Sequence, residues 1–333
     1  MKSTQLLYLF ITQGLASIAS PLCSHISFSI NASAENIVFS VAPDPGNATA
    51  IHDFLASSLA TGPPINGTTP ISGDFTFNGI YCTPRSSKRS RNTLQVLVHG
   101  LTYNKSMWSG LGYSSLYDWQ KFANSRGYYT LAIDRLGHGE NFDSYDPLAL
   151  HVLLRSARNG LLDGVGKFNR IAFIGHYSST AMIPPNLIPN FQSAATIFRL
   201  FKNTPVGYLT VSSEKARTEA FYGGKFDRSL AQYDFKVEDT VSLGEYLTPG
   251  VQPVSTSYKG HVLVVSRDRD SIFCTAGSDT CAEILNKTGQ DIFPKAEYDS
   301  FVAPDTGHCL TLHYSAPKVF KIVHDWLDNV FEL

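Results

Sequence analysis

Apolar positions along the chain fall into short runs separated by longer mixed segments, and the period of each run sets the element it predicts. Ile26-Ser27-Phe28-Ser29-Ile30 and Asp74-Phe75-Thr76-Phe77-Asn78-Gly79-Ile80 alternate apolar and polar residues, the pattern of strands with one covered face. They predict an antiparallel edge, separated by a Pro/Gly/Thr-rich loop around Thr61 to Pro70. Arg170-Ile171-Ala172-Phe173-Ile174 is a continuous apolar run, as in strands buried on both faces of a parallel sheet. Leu94 to Val98, Tyr128 to Ile133, Gly260 to Val265 and Ala296 to Val302 read as further strands. Ser114 to Arg126 and Pro147 to Gly164 read as helices between them, and Ala316 to Leu327 as an amphipathic final helix. Strand, helix and strand in succession predict parallel crossovers, hence a doubly wound, mostly parallel α/β sheet.

One junction departs from this rhythm. Ile174-Gly175-His176-Tyr177-Ser178-Ser179 turns from a strand into a helix, with small Gly175 and Ser179 two residues either side of Tyr177. That helix meets Pro184, Pro185 and Pro189 within about three turns, so it is short or broken. No apolar strand lies between Pro189 and Val206-Gly207-Tyr208-Leu209-Thr210, and one helix-strand unit is expected to be shortened.

The chain has 333 residues, 43% hydrophobic and 17% charged, with a net charge of -1. One domain over 21–333 with a sizeable core follows, and neither nucleic acid nor an acidic membrane is an implied partner. A small hydrophobic molecule fits better. Residues 1–20 carry Lys2, the apolar run Leu6 to Ile11 and small residues near Ser20, the pattern of a secretory signal peptide. No later segment reaches the ~20 apolar residues of a membrane span. Sequons at Asn31, Asn47, Asn66, Asn104 and Asn286 then predict a glycoprotein of the secretory pathway or extracellular space. Of five cysteines, Cys274 and Cys281 close a short loop and form the first expected disulfide. Cys23 with Cys82 is the second, leaving Cys309 free. No metal signature and no dinucleotide or phosphate loop is present, and no cofactor is expected.

Three segments carry chemistry. Val98-His99-Gly100-Leu101 ends a strand and resembles the oxyanion loop of α/β-hydrolases, which makes the N–H of Leu101 a candidate oxyanion donor, with the N–H of Ser178 as the second. Asp270, with Asp268 as competitor, follows the strand ending at Val265, and His308 follows the next strand in Asp305-Thr306-Gly307-His308. His138 reads as a loop-shaping residue and His176 as a packing residue, while Tyr113, Tyr117, Trp119 and Phe122 read as core.

Gly79-Ile80-Tyr81-Cys82, Leu94 through Tyr103, Ile133-Asp134-Arg135-Leu136-Gly137-His138-Gly139, Gly207 through Glu245 and Pro304 through His308 together resemble secreted fungal α/β-hydrolase-fold proteins often encoded beside polyketide pathways. The resemblance implies an α/β-hydrolase fold with a small helical lid over about 185–258. It also implies Asp270 as acid and His308 as base, and puts Tyr177 where the family carries its serine.

That substitution divides the functional expectations. His308, oriented by Asp270, removes a proton beside a carbonyl while the N–H groups of Leu101 and Ser178 stabilise an enolate and Tyr177 donates a proton. Condensation or cyclisation of a polyketide-like intermediate, without an acyl-enzyme, is the leading expectation. The alternative is a serine-type ester hydrolase. It uses Ser178 by a one-residue slip, which puts His176 where a small residue is needed, or has an ordinary serine elbow if Tyr177 to Pro205 is a splicing artefact. A non-catalytic ligand binder is the remaining reading.

Overall fold

The computed structural model describes residues 22–84, 90–139, 147–176, 190–247, 255–274 and 280–333. The expected signal peptide and the elbow residues Tyr177 and Ser178 lie outside the described residues. Strands β1 (Leu22–Phe39) and β2 (Ile65–Thr83) pair antiparallel, with Phe28 opposite Phe77 and Ile30 opposite Phe75. Their alternation turns Phe28, Ile30, Ala32, Phe75 and Phe77 onto one buried face. Helix α1 (Ala48–Thr61) joins them, capped by Asn47, whose Oδ1 accepts the N–H groups of Thr49 and Ala50. The sequence pattern misses this helix, and most of the expected loop around Thr61 to Pro70 is instead the start of β2. Pro70 misleads it: in a two-stranded ribbon the missing proline N–H need not break a ladder.

Next come β3 (Thr93–Val98), α2 (Trp119–Ser125), β4 (Tyr129–Ile133), α3 (Pro147–Asn159) and β5 (Arg170–Gly175). The five-stranded sheet has the order β1-β2-β4-β3-β5, with β3 parallel to both β4 and β5. Every residue of β3 is buried, as a central strand requires. A second antiparallel unit follows: β6 (Phe191–Ser193), α4 (Ala194–Ile197), β7 (Tyr208–Val211), α5 (Glu214–Phe221), α6 (Arg228–Lys236), β8 (Val241–Ser242) and α7 (Leu243–Leu247). Its strands run β6-β7-β8 in a separate sheet. β6 is thus a strand that the sequence pattern does not predict, and its three residues are too few to register as a period.

β9 (His261–Arg267), α8 (Thr280–Ile292), β10 (Glu297–Ala303) and α9 (Ala316–Val330) complete the chain. β9 and β10 pair parallel in a two-stranded sheet of their own. The expected doubly wound arrangement is therefore present but interrupted. Among the described residues only β3 pairs with β5, and Phe173, expected to be buried, is 50% exposed. Among the described residues no strand covers that edge, and the shortened unit expected after β5 falls on residues 177–189, outside the described residues. Tyr117 and Trp119 are buried as expected, whereas Tyr113 is 38% exposed.

Disulfides join Cys23 to Cys82 and Cys274 to Cys281, and Cys309 is a buried free thiol. Among the described residues no helix is long and apolar enough to cross a membrane. Two buried histidines lock later elements in place. His324 of α9 donates its Nδ1–H to the Phe320 carbonyl at 2.7 Å and meets the Gln95 amide of β3 through Nε2 at 3.0 Å. His313 donates its Nδ1–H to the Cys309 carbonyl at 2.6 Å and accepts the Gly307 N–H through Nε2 at 3.0 Å.

This framework makes stability depend on one long-range bridge and on two uncharged rings. The Cys23–Cys82 bridge spans 59 residues of sequence; replacing both cysteines by serine should lower unfolding free energy by about 2–4 kcal/mol in a denaturant titration. Burial brings the pKa values of both His313 and His324 down to about 4. The unfolded chain therefore takes up their protons first, so their stability contribution is complete above the unfolded value of about 6.5 and is lost as pH falls toward 4. Unfolding free energy should drop by up to about 3 kcal/mol per histidine between those limits, and His324→Gln should flatten that slope.

Candidate active site

The parallel register of β9 and β10, with Ala303 opposite Arg267, brings the loops after both strands side by side. Asp270 lies in the first and His308 in the second, and both side chains are buried. His308 Nδ1 is 3.1 Å from Asp270 Oδ1 and 3.2 Å from Oδ2. A carboxylate only accepts, so Nδ1 carries the proton and Nε2 keeps its lone pair. Burial lowers the His308 pKa, with the Asp270 charge opposing it, and the net shift is downward. Burial would raise the Asp270 carboxyl, but His308 and Arg267 outweigh it and hold it well below the usual range. Arg267 Nη1 donates to Oδ2 at 2.8 Å, and the N–H groups of Ile272 and Phe273 donate to Oδ1 at 2.9 and 3.1 Å. Asp268 instead accepts the Thr306 N–H at 3.2 Å, which spaces the two loops.

The His308 loop has a tight approach that fixes its path. A Cβ on Gly307 would lie 2.2 Å from the Gly223 nitrogen, so only glycine fits. Rings of Phe221 and Phe273 flank His308, with centroids 5.6 and 5.3 Å away.

At the end of β3, His99 donates Nδ1–H to the Gly100 carbonyl at 2.8 Å and accepts the Arg135 N–H through Nε2 at 3.0 Å, tying this loop to the one after β4. A Cβ on Gly100 would fall 2.4 Å from His176 Nδ1, which explains the glycine. Among the described residues the buried N–H of Leu101 has no acceptor, as a preorganised anion donor requires. Thr102 sits at φ 59°, a left-handed conformation that costs a β-branched residue about 1–3 kcal/mol.

His176 joins the three loops. Its N–H donates to the Val98 carbonyl at 2.8 Å, its Nε2–H reaches the His308 carbonyl at 3.3 Å, and its ring packs edge-on against His308 at 5.0 Å. Of the sequence-predicted site residues, His308 meets His176 directly, Asp270 pairs with His308, and Leu101 follows Gly100, which lies against His176, while Tyr177 and Ser178 lie outside the described residues. His138 shapes its loop as expected: its Nε2 meets Glu245 at 2.7 Å, and Arg135 pairs with the same carboxylate. Asn31, Asn47, Asn66 and Asn286 are exposed, whereas half-buried Asn104 donates Nδ2–H to Asp239 at 3.1 Å. Among the described residues no group of His, Cys, Asp and Glu is placed to hold a metal.

Sequence reasoning misses one cluster altogether. Arg217 of α5 and Asp234 of α6 are fully buried and paired, and Glu238 lies 3.0 Å from Arg217. The signal is available: Arg217 falls in the buried stripe Ala216, Arg217, Ala220, Phe221, and Asp234 in the stripe Leu230, Ala231, Asp234. Opposite charges on the apolar stripes of adjacent helices mark a buried ion pair.

A family model described as the alpha/beta hydrolase family matches residues 95–320. Among solved structures, the chain is similar to a soluble variant of monoglyceride lipase from Saccharomyces cerevisiae, with 14% identity, TM-score 0.49, and coverage of 76% of this chain and 92% of that one. It is similar also to an esterase from Exiguobacterium antarcticum, at 12% identity and TM-score 0.47 over 76% and 96% of the two chains. A carboxylesterase from Bacillus subtilis gives 13% identity and TM-score 0.46 over 84% and 98%. No curated protein matches the chain by sequence. The family model spans the β3 loop, the elbow strand and the Asp270 and His308 loops, and the chain belongs to the alpha/beta hydrolase family.

Proposed function

We propose that the protein hydrolyses carboxylic esters of hydrophobic alcohols or acids, with His308 as general base and Asp270 as the residue that orients it. The observation that carries this reading is the buried His308–Asp270 hydrogen bond, together with a Leu101 N–H that has no acceptor among the described residues. Neutral His308 takes a proton from the attacking hydroxyl through Nε2, and Asp270 stabilises the imidazolium that results. The Leu101 N–H meets the oxyanion of the tetrahedral intermediate, with the Ser178 N–H as the second donor. Ser178 supplies the hydroxyl in this reading, because a phenol such as Tyr177 is a poor nucleophile. Phe221 and Phe273 beside His308 favour an apolar substrate. Export through a signal peptide, glycosylation at the exposed sequons, a lid over about 185–258 and a role in secondary metabolism belong to the same proposal, and the two disulfides fit an oxidising compartment.

A second reading rests on Tyr177 at the nucleophile's place. There the same dyad removes a proton beside a carbonyl, and the Leu101 N–H stabilises an enolate on the way to condensation or cyclisation, with no acyl-enzyme.

With a panel of p-nitrophenyl esters of increasing chain length, His308→Ala should lower kcat/KM on the order of 10³-fold, with Asp270→Asn lowering it by about 10²–10⁴-fold. Equal turnover by wild type and His308→Ala would remove His308 from the chemistry. The acidic limb of the kcat/KM profile should lie below about pH 6.5, because burial lowers the His308 pKa and only the neutral ring accepts a proton. An acidic limb above that value would contradict the assignment.

A further inference from the structure

We infer that Arg217 is a positioning residue for the oxyanion donor: from the helical layer it holds Thr102 in its left-handed conformation and so fixes where the adjoining Leu101 N–H points. This rests on the ester-hydrolase reading for its catalytic consequence, but not for its structural one. Arg217 Nη1 donates to Thr102 Oγ1 at 2.5 Å, and Nη2 reaches the Thr102 carbonyl at 3.4 Å. The same carbonyl accepts the Asp239 N–H at 2.9 Å, and Thr102 Oγ1 donates to the Leu101 carbonyl at 2.7 Å. The hydroxyl and the carbonyl of Thr102 are thereby both tied to one guanidinium.

The guanidinium is itself held from several sides. Nε and Nη2 donate to the two oxygens of Asp234 at 3.2 and 2.9 Å, a bidentate fork that lysine cannot reproduce. Its plane stacks on Tyr103 and Phe221, at 4.3 and 4.4 Å from the ring centroids. Asp234 also accepts the hydroxyls of Tyr103 and Tyr222, at 2.8 and 2.9 Å, so its position is determined from four donors. Phe221 packs on His308, and its carbonyl accepts the Cys309 N–H at 2.8 Å. One buried arginine therefore registers the oxyanion loop against the layer that also walls the base. A β-branched residue does not hold a left-handed conformation without such external contacts.

The test combines a backbone measurement with kinetics. Crystal structures of Arg217→Lys and Thr102→Val report the φ of residue 102, independent of any activity. Thr102→Val keeps the Arg217–Asp234 pair intact and removes only the hydroxyl contacts, which guards against a variant that fails to fold. In both, residue 102 should leave the left-handed region; kcat should fall on the order of tenfold or more while KM moves by less than about threefold. Adding Thr102→Gly to Arg217→Lys should recover most of the lost kcat, since glycine adopts the left-handed conformation unaided. Residue 102 remaining left-handed in both single variants, or no recovery by the glycine, overturns the inference. If wild type turns over no ester, the ester-hydrolase reading fails and the φ of residue 102 still decides the clamp.

Discussion

The structure turns on a carboxylate with no access to water. Asp270 stays ionised there because each oxygen is occupied: one by Arg267, the other by two backbone N–H groups, and both by His308. A buried anion with fewer partners would protonate instead. That saturation sets the histidine's tautomer, and the tautomer decides which nitrogen of His308 is left to accept a proton. The parallel register of β9 and β10 makes the arrangement possible, since the two loops carrying these residues begin at opposed positions, Arg267 and Ala303.

A similar logic governs the layer above. Arg217, Asp234, Tyr103 and Tyr222 form a buried polar cluster between the inner faces of α5 and α6 and the β3 loop, and its hydrogen bonds fix the register of those helices against that loop. His176 does the same between β3, β5 and the His308 loop. The site is thus assembled by buried polar contacts between elements, while apolar packing supplies the surroundings.

These two kinds of contact are unequally legible in the sequence. Strands β3, β4, β5 and β9 stand out as apolar runs, whereas β10 mixes polar and apolar residues, and Leu101, Asp270 and His308 follow from position together with the family resemblance. Pro184, Pro185 and Pro189, which prompt the expectation of a shortened unit, lie outside the described residues. What the pattern hides is α1, whose N-cap Asn47 reads only as a sequon, and β6, three residues long. Arg217 and Asp234 are hidden for a different reason: charge ordinarily marks a solvent face, and only the three-dimensional meeting of two helices turns it into a core feature. The choice between Asp268 and Asp270 depends likewise on where each carboxylate points.

Reaction with a fluorophosphonate, followed by mass mapping of the modified peptide, reports whether His308 activates Ser178, because such a reagent prefers a hydroxyl activated by a general base. One phosphonyl group on Ser178 is expected in the wild-type protein and none in His308→Ala. No labelling of the wild type, or labelling that persists without His308, would contradict that activation.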